Sequence, residues 1–159
     1  MTVSIRPTQG GDRDWIASVL RDRWGGEPMV IRGELTYPSS HRGFVAVDGD
    51  ERVGFVTYAI SGPGCEITSL LSSRESEGIG TALILSVVEV ARGEGCRRLQ
   101  LVTSNDNEHA IGWYERRGFS VTSVREGAMD EVRRLKPSIP VVNEVGVPIR
   151  DEISMAREL

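Results

Sequence analysis

The sequence predicts a mixed α/β fold in one domain over residues 1–159, on three observations. Stretches in which apolar residues alternate give way to stretches in which they recur every third or fourth position. Two tight turn signals, Asp48-Gly49-Asp50-Glu51 and Ser61-Gly62-Pro63-Gly64, fold three successive strands into an antiparallel meander. The length of 159 residues fits one domain of roughly 150 and buries about two thirds of the unfolded surface without a disulfide or metal staple.

Each element follows from its local pattern. Val3 to Arg6 alternates and is ended by Pro7. Asp12 to Trp24 places Trp15, Ile16, Val19 and Leu20 at helical spacing and stops at Gly25-Gly26. Glu27 to His41 is irregular and is expected to carry a short helix or lid. Gly43 to Val47, Arg52 to Ile60 and Cys65 to Ser72 are the meander strands. From Ile79 a helical face runs through Ala82, Leu83, Val87, Val90 and Ala91 to a stop at Gly93 or Gly95. Arg98 to Thr103 predicts a strand, Asn107 to Arg117 a helix closed by Gly118, Phe119 to Val124 a strand and Ala128 to Lys136 a short helix. Pro137, Pro140, Gly146 and Pro148 interrupt the chain before a last strand over Ile149 to Leu159. The order is β-α-β-β-β-α-β-α-β-β, without repeats.

Composition narrows the function classes. Hydrophobic residues make up 39% and charged residues 26%, and the net charge is −4. That balance argues against nucleic-acid binding, which calls for a basic face. Cys65 and Cys96 have no metal-ligand spacing, so no metal is expected and both read as buried thiols. The N-terminal stretch lacks the basic-then-apolar pattern of a secretion signal, and no apolar run approaches the ~18 residues of a membrane span. The expectation is a cytoplasmic protein. His41 and His109 are isolated and expected at the solvent surface, while Trp15 and Trp24 read as core or pocket wall.

The most informative stretch is Ser69 to Leu83, in which a strand runs into a turn holding Gly78 and Gly80 and a helix begins. Glycine admits close backbone approach, and the first helical amides have no internal partner. Together with the helix dipole these make a phosphate cradle. A plain tight connection between strand and helix stays open beside that reading. The P-loop pattern is absent, because no Lys-Ser or Lys-Thr follows the glycines. The dinucleotide pattern fails at Leu83, where a third glycine would stand.

Asn107-Glu-His-Ala110-Ile-Gly-Trp113-Tyr114-Glu-Arg-Arg-Gly118-Phe119 adds the distinguishing spacing. This segment, one βα unit after Gly78-Ile79-Gly80-Thr81-Ala82-Leu83, resembles the second cofactor-side motif of the GNAT family of acetyl-CoA-dependent N-acetyltransferases. The resemblance covers nearly the whole chain. It implies a mostly antiparallel twisted sheet flanked by helices, with the fourth and fifth strands splayed. It implies acetyl-CoA as cosubstrate, its pantetheine pairing with Leu70, Leu71 and Ser72 and its pyrophosphate meeting Glu77, Gly78, Ile79, Gly80 and Thr81. Asn107 and Tyr114 would line the same site, with Tyr114 as proton donor to the departing thiolate. A phenol with an ordinary pKa of about 10 suits that transfer. Glu66, on the strand before the glycine turn, stands where some relatives keep a catalytic base, whereas Val102 occupies another such position and cannot serve.

The sequence departs from the family pattern at Glu75, Ser76 and Glu77, where relatives carry positive or neutral groups, and Arg74 is the nearest compensating charge. Asn105 and Glu108 stand at capping-box spacing before the predicted helix. Glu27, Arg32 and Tyr37 fall in the irregular segment that borders the acceptor in this fold. The stretch Lys136 to Glu152 resembles a proline-bearing C-terminal extension of a little-characterised branch, expected to cover the acceptor site or make a dimer contact. The function expected is transfer of an acetyl group to a primary amine of a small molecule or peptide, by a monomer or homodimer. Net acidity leans toward cationic acceptors such as polyamines. A non-catalytic acyl-CoA sensor of the same fold and a phosphate-ligand protein stay open as other classes.

Overall fold

The computed structural model describes residues 2–159. Its elements run β1 (Val3–Pro7), α1 (Gly10–Trp24), β2 (Met29–Ile31), β3 (Glu34–Thr36), β4 (Arg42–Asp48), β5 (Glu51–Ser61), β6 (Gly64–Ser72), α2 (Ile79–Gly93), β7 (Arg98–Ser104), α3 (Glu108–Glu115), β8 (Ser120–Arg125), α4 (Met129–Leu135) and β9 (Glu152–Glu158). The main sheet has the order β1-β4-β5-β6-β7-β9-β8. Every neighbouring pair in it is antiparallel except β6 with β7. The predicted fold class holds.

Alternation decides which face each helix covers. Leu83, Ile84, Val87, Val88 and Ala91 of α2 bury against Ala46, Val56, Leu99, Leu101 and Met155 on one face of the sheet. Ile16 and Leu20 of α1 meet Val45 and Phe55 on the other, with Trp15 edge-on to Phe55 at 5.5 Å between ring centroids. Each such side chain contributes about 1.5–3 kcal/mol on burial. The start of α1 is fixed by Asp12, 1% exposed, which accepts from Arg6 at 2.6 and 3.1 Å, from Arg52 Nε at 2.9 Å and from the Gln9 amide at 2.8 Å. These donors, Arg6 first, hold its carboxyl down at about 2.

Three expectations change. The irregular segment folds as a two-stranded hairpin, β2 with β3, followed by a 3-10 turn at Pro38–Ser40, rather than as a short helix. The hairpin turns through Arg32 and Gly33 with φ of 52° and 81°, a pairing of positive φ values that suits a tight hairpin. The last strand begins at Glu152 rather than Ile149, and it lies between β7 and β8, so the proline-bearing stretch is a loop between α4 and β9 and not a terminal extension. Asn105 forms no capping box. Its Oδ1 accepts from the Arg150 and Asp151 amides, both at 2.9 Å, and its Nδ2 donates to Pro148 O at 3.0 Å, clamping that loop to the start of α3.

The feature that positions the site is the divergence of β6 from β7. The two pair only from Gly64 to Glu66 against Arg98 to Gln100. Beyond that, β6 continues along β5 while Leu101 to Ser104 continue along β9. Between Thr57 and Tyr58 the β5–β6 register slips, leaving Thr68 as an extra residue in β6. Such a bulge bends the strand that carries it, here where β6 leaves β7.

Candidate active site

The splay opens a cleft of about 1010 Å³. Its middle is walled by Ile67 to Leu70 of β6 and Leu101 to Ser104 of β7. One end reaches Asn107, Ala110 and Tyr114 beside α3, on the face that α2 covers. The other end reaches Trp24, Met29, Val30, Val132 and Ile139, at the end of α1 and along α4. A second pocket of about 580 Å³ adjoins it, lined by Arg32, Tyr37, His41, Glu66 and Gln100, and Thr68 borders both.

The strand edge and glycine turn expected to form the cradle lie beside the α3 end of the cleft. Leu71 and Ser72 pair with Phe55 and Gly54 of β5, while among the described residues no strand pairs with their other edge. Gly78 caps α2 with φ of 75°, a conformation that favours glycine, in open space. Behind it the amides of Ile79, Gly80 and Thr81 begin the helix, and the Ala82 amide makes the first internal bond, to Gly78 O at 3.0 Å. A Cβ on Gly80 would lie 2.8 Å from the Trp113 ring, so that glycine is required by the packing of α3 on α2.

A model of the Acetyltransferase (GNAT) family matches residues 13–119. The chain belongs to the GNAT acetyltransferase family. It is 44% identical over 154 residues to YdhI of Bacillus subtilis, described as uncharacterized, with 96% of each chain covered. In fold it is similar to an IAA acetyltransferase from Bacillus cereus, with a TM-score of 0.76 at 22% identity over 99% of this chain and 100% of that one. It is also similar to a GNAT family acetyltransferase from Elizabethkingia anophelis with acetyl-CoA bound, with a TM-score of 0.71 at 20% identity over 99% and 98%.

Within this acyltransferase, Tyr114 lines the cleft with its ring edge-on to Trp113 and Phe119 at 5.1 and 5.3 Å. No side chain among the described residues hydrogen-bonds its hydroxyl, and burial pushes that phenol's pKa up. Asn107 is exposed at the N-cap of α3, and its Nδ2 donates to Thr103 Oγ1 at 2.9 Å rather than capping the helix.

Glu66 lies in the second pocket, not on the walls shared with Tyr114. Its Oε1 accepts from Arg32 Nε at 2.7 Å and Gln100 Nε2 at 3.0 Å, while its Oε2 is buried without a partner among the described residues. Of the irregular-segment candidates, Arg32 and Tyr37 line this pocket. Glu27 instead binds the amide and hydroxyl of Ser39 at 2.8 and 2.7 Å.

Other expectations are corrected. His41 is half-buried, not at the surface, because its Nδ1 contacts Thr68 Oγ1 at 2.9 Å behind the hairpin; His109 is exposed. Arg74 reaches the β4–β5 hairpin, donating to Asp48 at 2.7 Å and Glu51 at 2.9 Å. Glu75 and Glu77 are exposed. Cys65 and Cys96 are buried and free, and burial pushes the Cys65 thiol up to about 12. Sequence reading missed Arg117, whose Nε donates to Thr81 Oγ1 at 2.8 Å and whose guanidinium lies 3.7 Å from the Trp113 ring centroid. The basic pair Arg116-Arg117 before Gly118 was the available signal. It also missed Lys136, buried at the α1–α4 end of the cleft, with Nζ donating to Gly26 O at 2.7 Å. Among the described residues no helix is long and apolar enough to cross a membrane.

Proposed function

We propose that this chain transfers the acetyl group of acetyl-CoA to a primary amine whose body is apolar. The observation that carries the reading is the cleft through the splay, which runs from the diverging edges of β6 and β7 beside Tyr114 of α3 to a wall of Trp24, Met29, Val30, Val132 and Ile139, with Lys136, Glu144 and Glu152 on its border. The residues present suit an acyl-CoA thioester. The free edge of Leu70, Leu71 and Ser72 offers hydrogen bonds to the amides of pantetheine. The amides behind Gly78 offer donors to a pyrophosphate, and the helix dipole adds to them. Glu77 and Glu75 point their charge into water, where screening weakens its effect on a bound anion. Arg117, tied to Thr81 in the first turn of α2, supplies a positive charge there, the turn's own Arg74 being paired with Asp48 and Glu51. Asn107, at the mouth, is assigned to the cofactor end.

Bound acetyl-CoA supplies an activated acyl thioester. Tyr114 is assigned as the acid. A phenol in a desolvated wall stays protonated at neutral pH. The same burial makes it a weaker acid than the ordinary phenol expected from sequence, so it serves a thiolate formed in the same desolvated cleft, whose basicity burial also raises. Such a donor contributes about 10²–10⁴-fold. Glu66, paired with Arg32 in the second pocket, holds the β2–β3 hairpin in place rather than serving as the base in the cleft. At the acceptor end Trp24, 42% exposed, stands with Met29, Val30, Val132 and Ile139. That lining favours an aryl- or alkylamine over the polyamines suggested by net charge. The loop between Lys136 and Glu152 supplies part of the same wall through Ile139, Pro140 and Val142.

Thiol release from acetyl-CoA, measured across phenethylamine, hexylamine, spermidine and a lysine peptide, tests the reading. Fastest release with the first two is expected. Acetyl-CoA binding without release for any amine would favour the sensor reading instead.

A further inference from the structure

Four side chains form an unbroken hydrogen-bonded line across the strand between the two pockets. Ser69 Oγ lies 2.5 Å from Thr57 Oγ1, Thr57 Oγ1 lies 2.7 Å from Thr68 Oγ1, and Thr68 Oγ1 lies 2.9 Å from His41 Nδ1. The bulge creates it. Because Thr68 is the extra residue, consecutive residues Thr68 and Ser69 both turn their hydroxyls onto Thr57. Ser69 borders the large cleft, His41 borders the second pocket, and Thr57 between them is wholly buried. Water does not reach Thr57, so whatever passes along this line passes through the hydroxyls.

We infer that the line is a proton path by which the attacking amine loses its proton to His41, making His41, Thr68 and Thr57 positioning residues and Ser69 the group that meets the substrate nitrogen. This rests on the acetyltransferase reading above. Each hydroxyl donates one proton and accepts one, so the line has two coherent orientations. In the first, Ser69 donates to Thr57, Thr57 to Thr68, and Thr68 to an unprotonated Nδ1, leaving the lone pairs of Ser69 open to the cleft. At pH 7 the amine enters as an ammonium, and one proton passes from it to Ser69. The protons of Ser69, Thr57 and Thr68 each move one place, and His41 becomes imidazolium. The freed nitrogen attacks the thioester carbonyl; as the carbon–sulfur bond breaks the thiolate takes the Tyr114 proton, and the nitrogen's second proton returns to the Tyr114 oxygen. The line then stands in its second orientation. His41 turns its Nδ1–H to water in the second pocket and releases it, and the three hydroxyls rotate back to the first orientation. Ammonium and thioester thus give amide, thiol and one proton released to water.

The surroundings of His41 suit a temporary acceptor. Burial lowers its pKa, and Glu27 opposes that shift. Arg32, Glu34, Tyr37 and Glu66 share its pocket, and Arg13 of α1 reaches the neighbouring Ser40 carbonyl at 3.4 Å. The imidazole is therefore held neutral and ready, with a carboxylate near enough to tolerate its brief charge.

Thr57 gives the decisive variants, because packing and proton transfer rank them oppositely. Thr57→Val keeps the volume and removes the hydroxyl; Thr57→Ser keeps the hydroxyl and loses a methyl. With phenethylamine and saturating acetyl-CoA, Thr57→Val and His41→Gln should each lower kcat/KM about 10- to 100-fold at pH 7. The deficit should shrink as pH approaches the pKa of the amine, and Thr57→Ser should stay within a few-fold of wild type. A Thr57→Val enzyme as active as wild type across the pH range, or Thr57→Ser worse than Thr57→Val, overturns the path. The chain has two histidines, so its histidine nitrogen NMR spectrum is simple. The resting line requires His41 protonated on Nε2 and accepting on Nδ1. A resting tautomer protonated on Nδ1 overturns the proposal whether or not any amine turns over. Failure of every amine with wild type, alongside the expected tautomer, overturns the acetyltransferase reading instead.

Discussion

The two ends of the cleft are built from different materials. The region proposed for the cofactor, beside the α3 end, is backbone: a strand edge unpaired among the described residues, the first amides of α2 and a left-handed glycine at position 78. Its requirements are local, and they leave marks a few residues apart. The acceptor-side end is side chain: Trp24 from α1, Met29 and Val30 from the hairpin, Val132 from α4 and Ile139 from the following loop. It is assembled by contacts over more than a hundred positions, such as Lys136 Nζ on Gly26 O. One end can serve a ligand common to a family, while the other is free to change with each acceptor.

Substitutions should separate the two ends. The largest effect is expected at the α3 end, where Tyr114→Phe should lower kcat about 10- to 1000-fold while acetyl-CoA affinity by calorimetry stays nearly unchanged. Loss of affinity with unchanged kcat would move Tyr114 from the acid role to binding. At the cofactor end, Arg117→Ala should weaken acetyl-CoA about tenfold, more at low salt than at high, with little change in acceptor KM. Gly80→Ala puts a methyl into the Trp113 ring and should cost about 1–3 kcal/mol in thermal or denaturant unfolding, weakening acetyl-CoA as α3 shifts.

At the acceptor end, Trp24→Ala should raise KM several-fold for phenethylamine and much less for spermidine, without touching acetyl-CoA affinity. Equal changes for both amines would remove the apolar preference. The smallest effect concerns the anchoring of α1, which carries Trp24. Asp12 titrates at about 2 in the folded chain against an ordinary 3.8, so the folded state favours its ionised form. That contribution, about 2 kcal/mol, is complete above about pH 4 and is lost as pH falls toward 2. Stability of Asp12→Asn should lack this acid dependence, with kcat at pH 7 little altered.

The same division explains what was legible in the sequence. Helix periodicity, the two hairpin turns and the glycine turn reveal the strands of the main sheet, both main helices and the turn that opens α2, because each depends on neighbours in sequence. The resemblance brought Leu70, Leu71, Ser72, Asn107 and Tyr114 to one cleft, and the structure places Leu70, Asn107 and Tyr114 on its walls. The hairpin of β2 and β3 has too few residues to display a period, and its turn through Arg32 carried a single glycine. His41 looked isolated because its partner Thr68 is 27 positions away and is turned toward it by a bulge that no local pattern announces. Gly80 was legible as a glycine but not for its reason, since the Trp113 ring that excludes a side chain comes from another helix.

The central claim is that the cleft brings an amine to a thioester beside Tyr114. Acetyl-CoA-dependent thiol release with phenethylamine, compared between wild type and Tyr114→Phe at matched acetyl-CoA occupancy, tests it most directly. Rapid release by wild type and a loss of at least tenfold in the variant are predicted. Equal release by the two proteins would contradict the account.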